Sequence, residues 1–263
     1  MSYKKHLMLF LYILVFIVLL VPTSFLAIEP DPPKLSNVTK RNTPLYLSYY
    51  DINGKLIRSI DKRKKMVAIT YDDGPSVNTK KILETLNKYN SVATFFVIGN
   101  RVEEYSDTVK TAYNYGCEIG NHTFDHKLLT DLGSSEIQYQ IKATNTAVKN
   151  CIGINPVIMR PPCGLNDCWT DKNINMPLIL WSIDTLDWKT LNPSSTIDAV
   201  LGKVKDGDII LMHDFYKETA IATETIVPSL VLEGYQLVTV SELAECRGIT
   251  LENQELYMNF ALE

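Results

Sequence analysis

MVAITYDDGP, Met66 to Pro75, runs from a short apolar segment into two adjacent carboxylates and a Gly-Pro turn. The same rhythm recurs down the chain: an apolar run, a loop carrying Gly, Asp or Pro, then an amphipathic stretch. The later runs are ATFFVI (Ala93–Ile98), EIGN (Glu118–Asn121), PVIM (Pro156–Met159), LILW (Leu178–Trp181), DIILM (Asp208–Met212) and YQLVTV (Tyr235–Val240). Between them, Ile82, Leu83, Leu86 and Tyr89 recur at helical spacing. Ser135 and Gln138 have capping-box spacing ahead of Ile141 and Val148, and 196–204 and 223–232 read as further helices. This alternation predicts an α/β fold in which about seven parallel strands, joined by right-handed crossovers, close into a (β/α) barrel. Chemistry in such a barrel gathers at the C-terminal ends of the strands.

The reactive residues follow the apolar runs. Asp72 and Asp73 come after the first; adjacent carboxylates at a strand end repel each other and raise one pKa unless a cation lies close. Asp-Gly-Pro by itself is also an ordinary turn. The third run opens onto Asn121-His122-Thr123-Phe124-Asp125-His126. The chain has four histidines, and the two here are spaced to face one ion, as imidazoles do for zinc at ~2.0–2.1 Å. No Glu follows His122, so the zincin arrangement with its built-in base is absent. Two His and one carboxylate leave positions open for water, as a catalytic metal requires. After the fourth run, Arg160-Pro161-Pro162-Cys163-Gly164 combines a planar fork suited to a carboxylate with a backbone fixed by two prolines. Asp184-Thr185-Leu186-Asp187-Trp188 follows the fifth run, and Leu211-Met212-His213-Asp214 ends the sixth. His213, sharing a barrel mouth with carboxylates, reads as an acid or base. A glycosidase built on Asp184 and Asp187 leaves the histidine pair without a role.

The composition sets outer bounds. With 263 residues, 46% hydrophobic and 21% charged, the chain is globular in balance, which excludes disordered, collagen-like and coiled-coil classes. An odd count of five Cys excludes a small disulfide scaffold. After Lys4, Lys5 and His6, residues 7–28 carry no charge, so 1–28 reads as a signal peptide or an uncleaved anchor. Either way the rest of the chain is placed outside the cytoplasm, secreted or membrane-anchored. Beyond that segment 24 Lys and Arg face 30 Asp and Glu, a net charge of −6 that argues against nucleic-acid binding. Residues 29–61 read as a linker, with a glycosylation sequon at Asn37 and a hairpin-like piece around Asn53-Gly54. Residues 251–263 read as a C-terminal tail.

Taken in order, Thr70-Tyr71-Asp72-Asp73-Gly74-Pro75, His122-Thr123-x-x-His126, Arg160-Pro161-Pro162-x-Gly164, Asp187-Trp188 and Leu211-x-His213 resemble the motifs of the polysaccharide deacetylases, the NodB-homology family (carbohydrate esterase family 4), over Lys62 to Cys246. The resemblance implies that family's distorted (β/α) barrel over 62–250. It implies Asp73, His122 and His126 as ligands of a divalent metal, Zn2+ with Co2+ as the alternative. Asp72 matches the general base and Arg160 the residue that orients it; His213 matches the general acid and Asp187 the residue that tunes it. Trp188 and Leu211 match the walls of the acetyl-methyl pocket, and a backbone N–H near Cys163 matches the oxyanion donor. Pro162 and Cys163 complete the expected substrate contacts. The implied reaction is hydrolysis of N-acetyl groups on a β-1,4-linked N-acetylglucosamine polymer, with acetate and a free amino sugar as products. Five Cys and the Asn37 sequon lean towards a eukaryotic host and hence chitin, with peptidoglycan as the alternative polymer and a catalytically inactive glycan-binding module as the rival class. Cys163 stands where the family usually has an aromatic residue. It alters the sugar site, pairs with Cys168, or brings a thiolate near the metal.

Overall fold

Every residue of the strand Met66–Asp72 is buried, as expected of a strand covered on both faces. Val67, Ile69 and Tyr71 pack with Ile82, Leu86, Ile226 and Leu230 of the surrounding helices, whereas Met66 and Ala68 join Ile209, Val238 and Phe260 inside. Side chains alternate along a strand, so Thr70 and Asp72 continue the inner row and carry its polar end to the barrel mouth.

The structure is a computed structural model that describes residues 46–50 and 56–262. The apolar segment 1–28, the Asn37 sequon with the rest of the linker up to 45, and the Asn53-Gly54 turn lie outside the described residues. The strands flanking that turn, β1 (Tyr46–Tyr50) and β2 (Leu56–Asp61), pair antiparallel. Ile60 enters the inner apolar cluster and Arg58 lies 3.1 Å from Glu242, so the hairpin is packed onto the barrel.

The strand described first is β3 (Met66–Asp72). It pairs in parallel with β4 (Thr94–Val97), which pairs with β5 (Glu118–Asn121). Parallel bridges Asn121–Met159 and Met159–Leu178 carry the ladder on to β6 (Leu178–Ile179). After a break at Trp181 the same segment resumes as β7 (Ile183–Asp184), which pairs with β8 (Ile209–His213), and β8 returns to β3. The ring is therefore closed. β9 (Gln236–Leu237) pairs with Met66 and Val67, below the stretch of β3 that β4 uses. All seven expected runs enter this parallel ladder, but PVIM does so through Met159 alone. Pro156, Pro161 and Pro162 bracket it and supply no ladder N–H.

Helices cover the outside: α1 (Thr79–Lys88), α2 (Ser106–Asn114), α3 (Ser134–Ile152), α4 (Cys168–Lys172), α5 (Asp187–Thr190), α6 (Pro193–Val200), α7 (Lys217–Leu232) and α8 (Val240–Cys246). The expected Ser135/Gln138 capping box is not formed. α3 begins two residues earlier, capped at Gly133, and Ser134 and Gln138 instead donate to the side chain and carbonyl of Asn173. A capping box does form at Thr239 and Glu242, which start α8. The helix expected over 196–204 is α6, and it stops before Gly202, which takes a φ of 74°. The C-terminal segment is part of the barrel wall. β10 (Leu256–Tyr257) pairs with β6, and Phe260, 2% exposed, donates its N–H to the Gly207 carbonyl. Among the described residues no helix is long and apolar enough to cross a membrane.

Candidate active site

Parallel register sets Asp72 at the end of β3 beside His213 at the end of β8. Asp72 Oδ1 accepts from Arg160 Nη1 at 2.8 Å, and Oδ2 lies 3.8 Å from His122 Nε2. Arg160 is fully buried and spends the rest of its fork on Thr70 Oγ1 and the carbonyls of Ile179 and Leu180, at 2.7–2.9 Å. Its guanidinium carbon is 4.2 Å from the centre of the Phe96 ring. Burial works against this charge, and the Asp72 carboxylate supports it.

Asp73 would continue the strand towards the outer layer, but its φ of 69° turns it back into the mouth. Its Oδ1 lies 3.4 Å from His122 Nε2 and 3.2 Å from His126 Nε2. Gly74 permits this turn, since a Cβ there would sit 2.2–2.5 Å from the Asp214 carboxyl group. His122 Nδ1 is 2.7 Å from the Arg160 carbonyl, which can only accept, so Nδ1 carries the proton and Nε2 is bare. The loop to His126 is held by Asn121 Oδ1, which accepts from the Thr123 N–H, and by Gln140 Oε1, which accepts from Phe124 and Asp125. His126 itself takes a φ of 62°.

The ligand atoms of Asp73, His122 and His126 fall within 4.8 Å of one another. Asp73 Oδ1 is buried without a hydrogen-bond partner and faces a lone pair on His122, an arrangement that calls for a cation between them. The donor set of two imidazoles and one carboxylate fits zinc or cobalt. Burial pushes the Asp73 carboxyl up, but the two imidazoles set against it hold it well below the usual carboxylate range. The Asp73 carboxylate beside it raises His126, against the effect of burial.

His213 Nδ1 lies 2.7 Å from Asp187 Oδ1, and Asp187 Oδ2 accepts from the His213 backbone N–H and from Thr219 Oγ1. The Trp188 N–H also donates to Oδ1. Burial would lower the His213 pKa, but the hydrogen bond and charge of Asp187 overcome it and raise the pKa to about 9. Nδ1 is committed to Asp187, which leaves Nε2 for the cavity.

That cavity, about 280 Å³, is lined by Asp72, the Asp73–His122–His126 cluster and His213, with Cys163, Trp188 and Leu211 around them. Trp181, Asp184 and Tyr216 also line it. Trp181 lies inside a run read only as strand, and nothing in the pattern around Tyr216 or Thr219 marked them. Pro162 is buried and does not line the cavity; the turn it opens presents Cys163 and Gly164 there. Cys163 carries a free thiol and sits at a φ of 59°. Its N–H donates to no described residue. Burial, then the Asp73 charge, push its thiol up, which disfavours a thiolate at the metal cluster. The side chain of Cys168 lies outside what is described. A wider groove between α2 and α3, about 740 Å³, carries Lys110 and Lys142 but none of the candidate residues.

Residues 59–175 match the family model described as "Polysaccharide deacetylase". The chain is 40% identical over 190 residues to the peptidoglycan-N-acetylmuramic acid deacetylase PdaC of Bacillus subtilis, covering 72% of this chain and 41% of the relative. It is 37% identical over 223 residues to the peptidoglycan-N-acetylglucosamine deacetylase PgdA of Listeria monocytogenes, covering 81% and 47%. The chain thus spans less than half the length of these two curated relatives. A solved structure of a family 4 acetyl xylan esterase from Clostridium thermocellum, in complex with a cobalt ion, superposes with a TM-score of 0.71 at 32% identity and covers 75% of this chain and 100% of that one. With the barrel, the ordered strand-end residues and a relative matched over its whole length, the chain belongs to the polysaccharide deacetylase family.

Proposed function

We propose that this chain is a metal-dependent hydrolase that removes N-acetyl groups from the sugars of peptidoglycan, outside the cytoplasm at the cell wall. The observation that carries the reading is one cavity lined by the Asp73–His122–His126 cluster, by Asp72 with the buried Arg160 behind it, and by His213 with the buried Asp187 behind it. The names of the bacterial relatives support peptidoglycan over chitin. The lean towards chitin came from cysteine count and the Asn37 sequon, and neither bears on the site. The apolar segment 1–28 supports export or anchoring.

Asp73, His122 and His126 would hold the divalent cation, which when bound supplies Lewis-acid polarisation of the amide carbonyl and makes water acidic enough to react near neutral pH. Asp72 accepts the water proton at Oδ2, because Oδ1 is engaged by Arg160. The Cys163 N–H is free to donate to the developing oxyanion. Leu211 and Trp188 enclose the acetyl methyl group. His213 delivers a proton from Nε2 to the departing nitrogen while Asp187 stabilises the imidazolium.

Acetate release from peptidoglycan fragments with added Zn2+ or Co2+ tests this reading and separates an enzyme from a glycan-binding module. Asp72→Asn and His126→Ala are each expected to lose ~10²-fold or more in kcat. A folded, metal-loaded chain that releases acetate from no N-acetylated glycan would favour the binding module.

A further inference from the structure

Among the described residues, Arg101 is the arginine without a carboxylate partner. The other four, Arg58, Arg63, Arg160 and Arg247, each have one within 3.1 Å. Arg101 also stands where the site's loops meet. It ends the short 3-10 turn Gly99–Arg101 after β4, and the N–H groups of Gly99 and Asn100 donate to the Thr123 and Phe124 carbonyls of the histidine loop. Its own Nε donates to the Pro75 carbonyl at 2.9 Å, two residues beyond Asp73. Its guanidinium carbon lies 5.0 Å from the Phe215 ring centre and 5.9 Å from that of Tyr105. Phe215 packs edge-on against Tyr216, which lines the cavity.

A side chain gripped in this way has lost its rotamer freedom and kept its donors. Nε and the two rings fix the plane of the guanidinium, while Nη1 and Nη2 make no hydrogen bond or ion pair with any described residue. Bracing Pro75 needs one N–H and leaves the charged fork over. A fixed planar fork binds a carboxylate through two parallel charge-assisted bonds, with little ordering left to pay for. Arg101 is partly exposed and Phe215 is 46% exposed, so a polymer lying in the cleft can reach this rim.

We propose that Arg101 is a carboxylate-binding subsite at the rim of the cleft. It favours glycan that bears free acids, as peptidoglycan does on its lactyl groups or peptide stems, over an uncharged polymer such as chitin. The selection rests on the N-deacetylase reading above; the carboxylate contact itself does not.

The test compares zinc-loaded wild-type chain with Arg101→Gln and Arg101→Lys on chitotetraose, on peptide-free glycan strands and on peptide-bearing muropeptides. Arg101→Gln should lose about tenfold more in kcat/KM on the acid-bearing substrates than on chitotetraose, with the difference in KM, and Arg101→Lys should recover part of it. The peptide-free strands separate lactyl from peptide carboxylates as the source. Equal losses on all three substrates, or none, identify a brace for Pro75 and overturn the subsite. Turnover of chitotetraose alone overturns the selection. If the wild type turns over nothing, the N-deacetylase reading fails, and calorimetric binding of a muropeptide decides the subsite separately. Affinity about tenfold weaker in Arg101→Gln supports it, and equal affinities reject it.

Discussion

Asp187 uses both carboxylate oxygens within the protein, on the His213 ring and backbone, the Trp188 N–H and the Thr219 hydroxyl. With the His213 pKa raised to about 9, its protonated form is present at neutral pH and is lost as pH rises through that value. The same shift stabilises the fold, fully below the ordinary histidine value of about 6.5 and no longer once pH passes about 9. The rate of acetate release should therefore show an alkaline limb near pH 9. In Asp187→Asn the limb should move to lower pH and kcat should fall by ~10²-fold, and an unmoved limb would assign it to another group. Asp72, Asp73, His122, His126, Arg160 and His213 were legible because acid-base chemistry and metal binding demand those residue types at strand ends. Thr219, Trp181 and Tyr216 were not, since each reaches the site through packing between elements far apart in sequence.

At the scale of elements, hydrophobic rhythm located the strands well because alternation and burial leave a direct trace in residue type. It misjudged PVIM, where flanking prolines remove the donors a ladder needs. It also misjudged Ser135, because a capping box depends on the backbone angle at which the chain enters the helix. That difference can be measured. Thr239→Ala removes a formed cap and should cost about 1 kcal/mol in denaturant unfolding. Ser135→Ala sits within α3 and should change stability by no more than about 0.5 kcal/mol. A larger loss at Ser135 would contradict the helix start seen here.

At the scale of the whole molecule, closure runs through the split β6–β7 segment, whose break left no trace in residue type, and the C-terminal strand β10, read from sequence as a tail, backs β6. Phe260 fills the inner cluster, far along the chain from the motifs. Phe260→Ala should destabilise the fold by about 3–4 kcal/mol while acetate release per folded molecule holds, read by calorimetry alongside activity. Chelation should do both, ending activity and lowering the melting temperature in proportion to lost metal. At free metal a thousandfold above Kd the linked stabilisation is about 4 kcal/mol. A melting temperature indifferent to chelator would mean the cluster holds no cation.

Arg160 has a consequence for how inactive forms of this protein can arise. Its guanidinium is enclosed by Thr70, Asp72, Phe96 and the carbonyls of Ile179 and Leu180, so any replacement strands a carboxylate and two acceptors in the barrel. A random-mutation survey should find changes at this position missing from the soluble fraction, whereas losses at His213 should persist as well-folded, silent protein. A lineage abandoning catalysis while keeping the scaffold would therefore discard the histidine and retain the arginine.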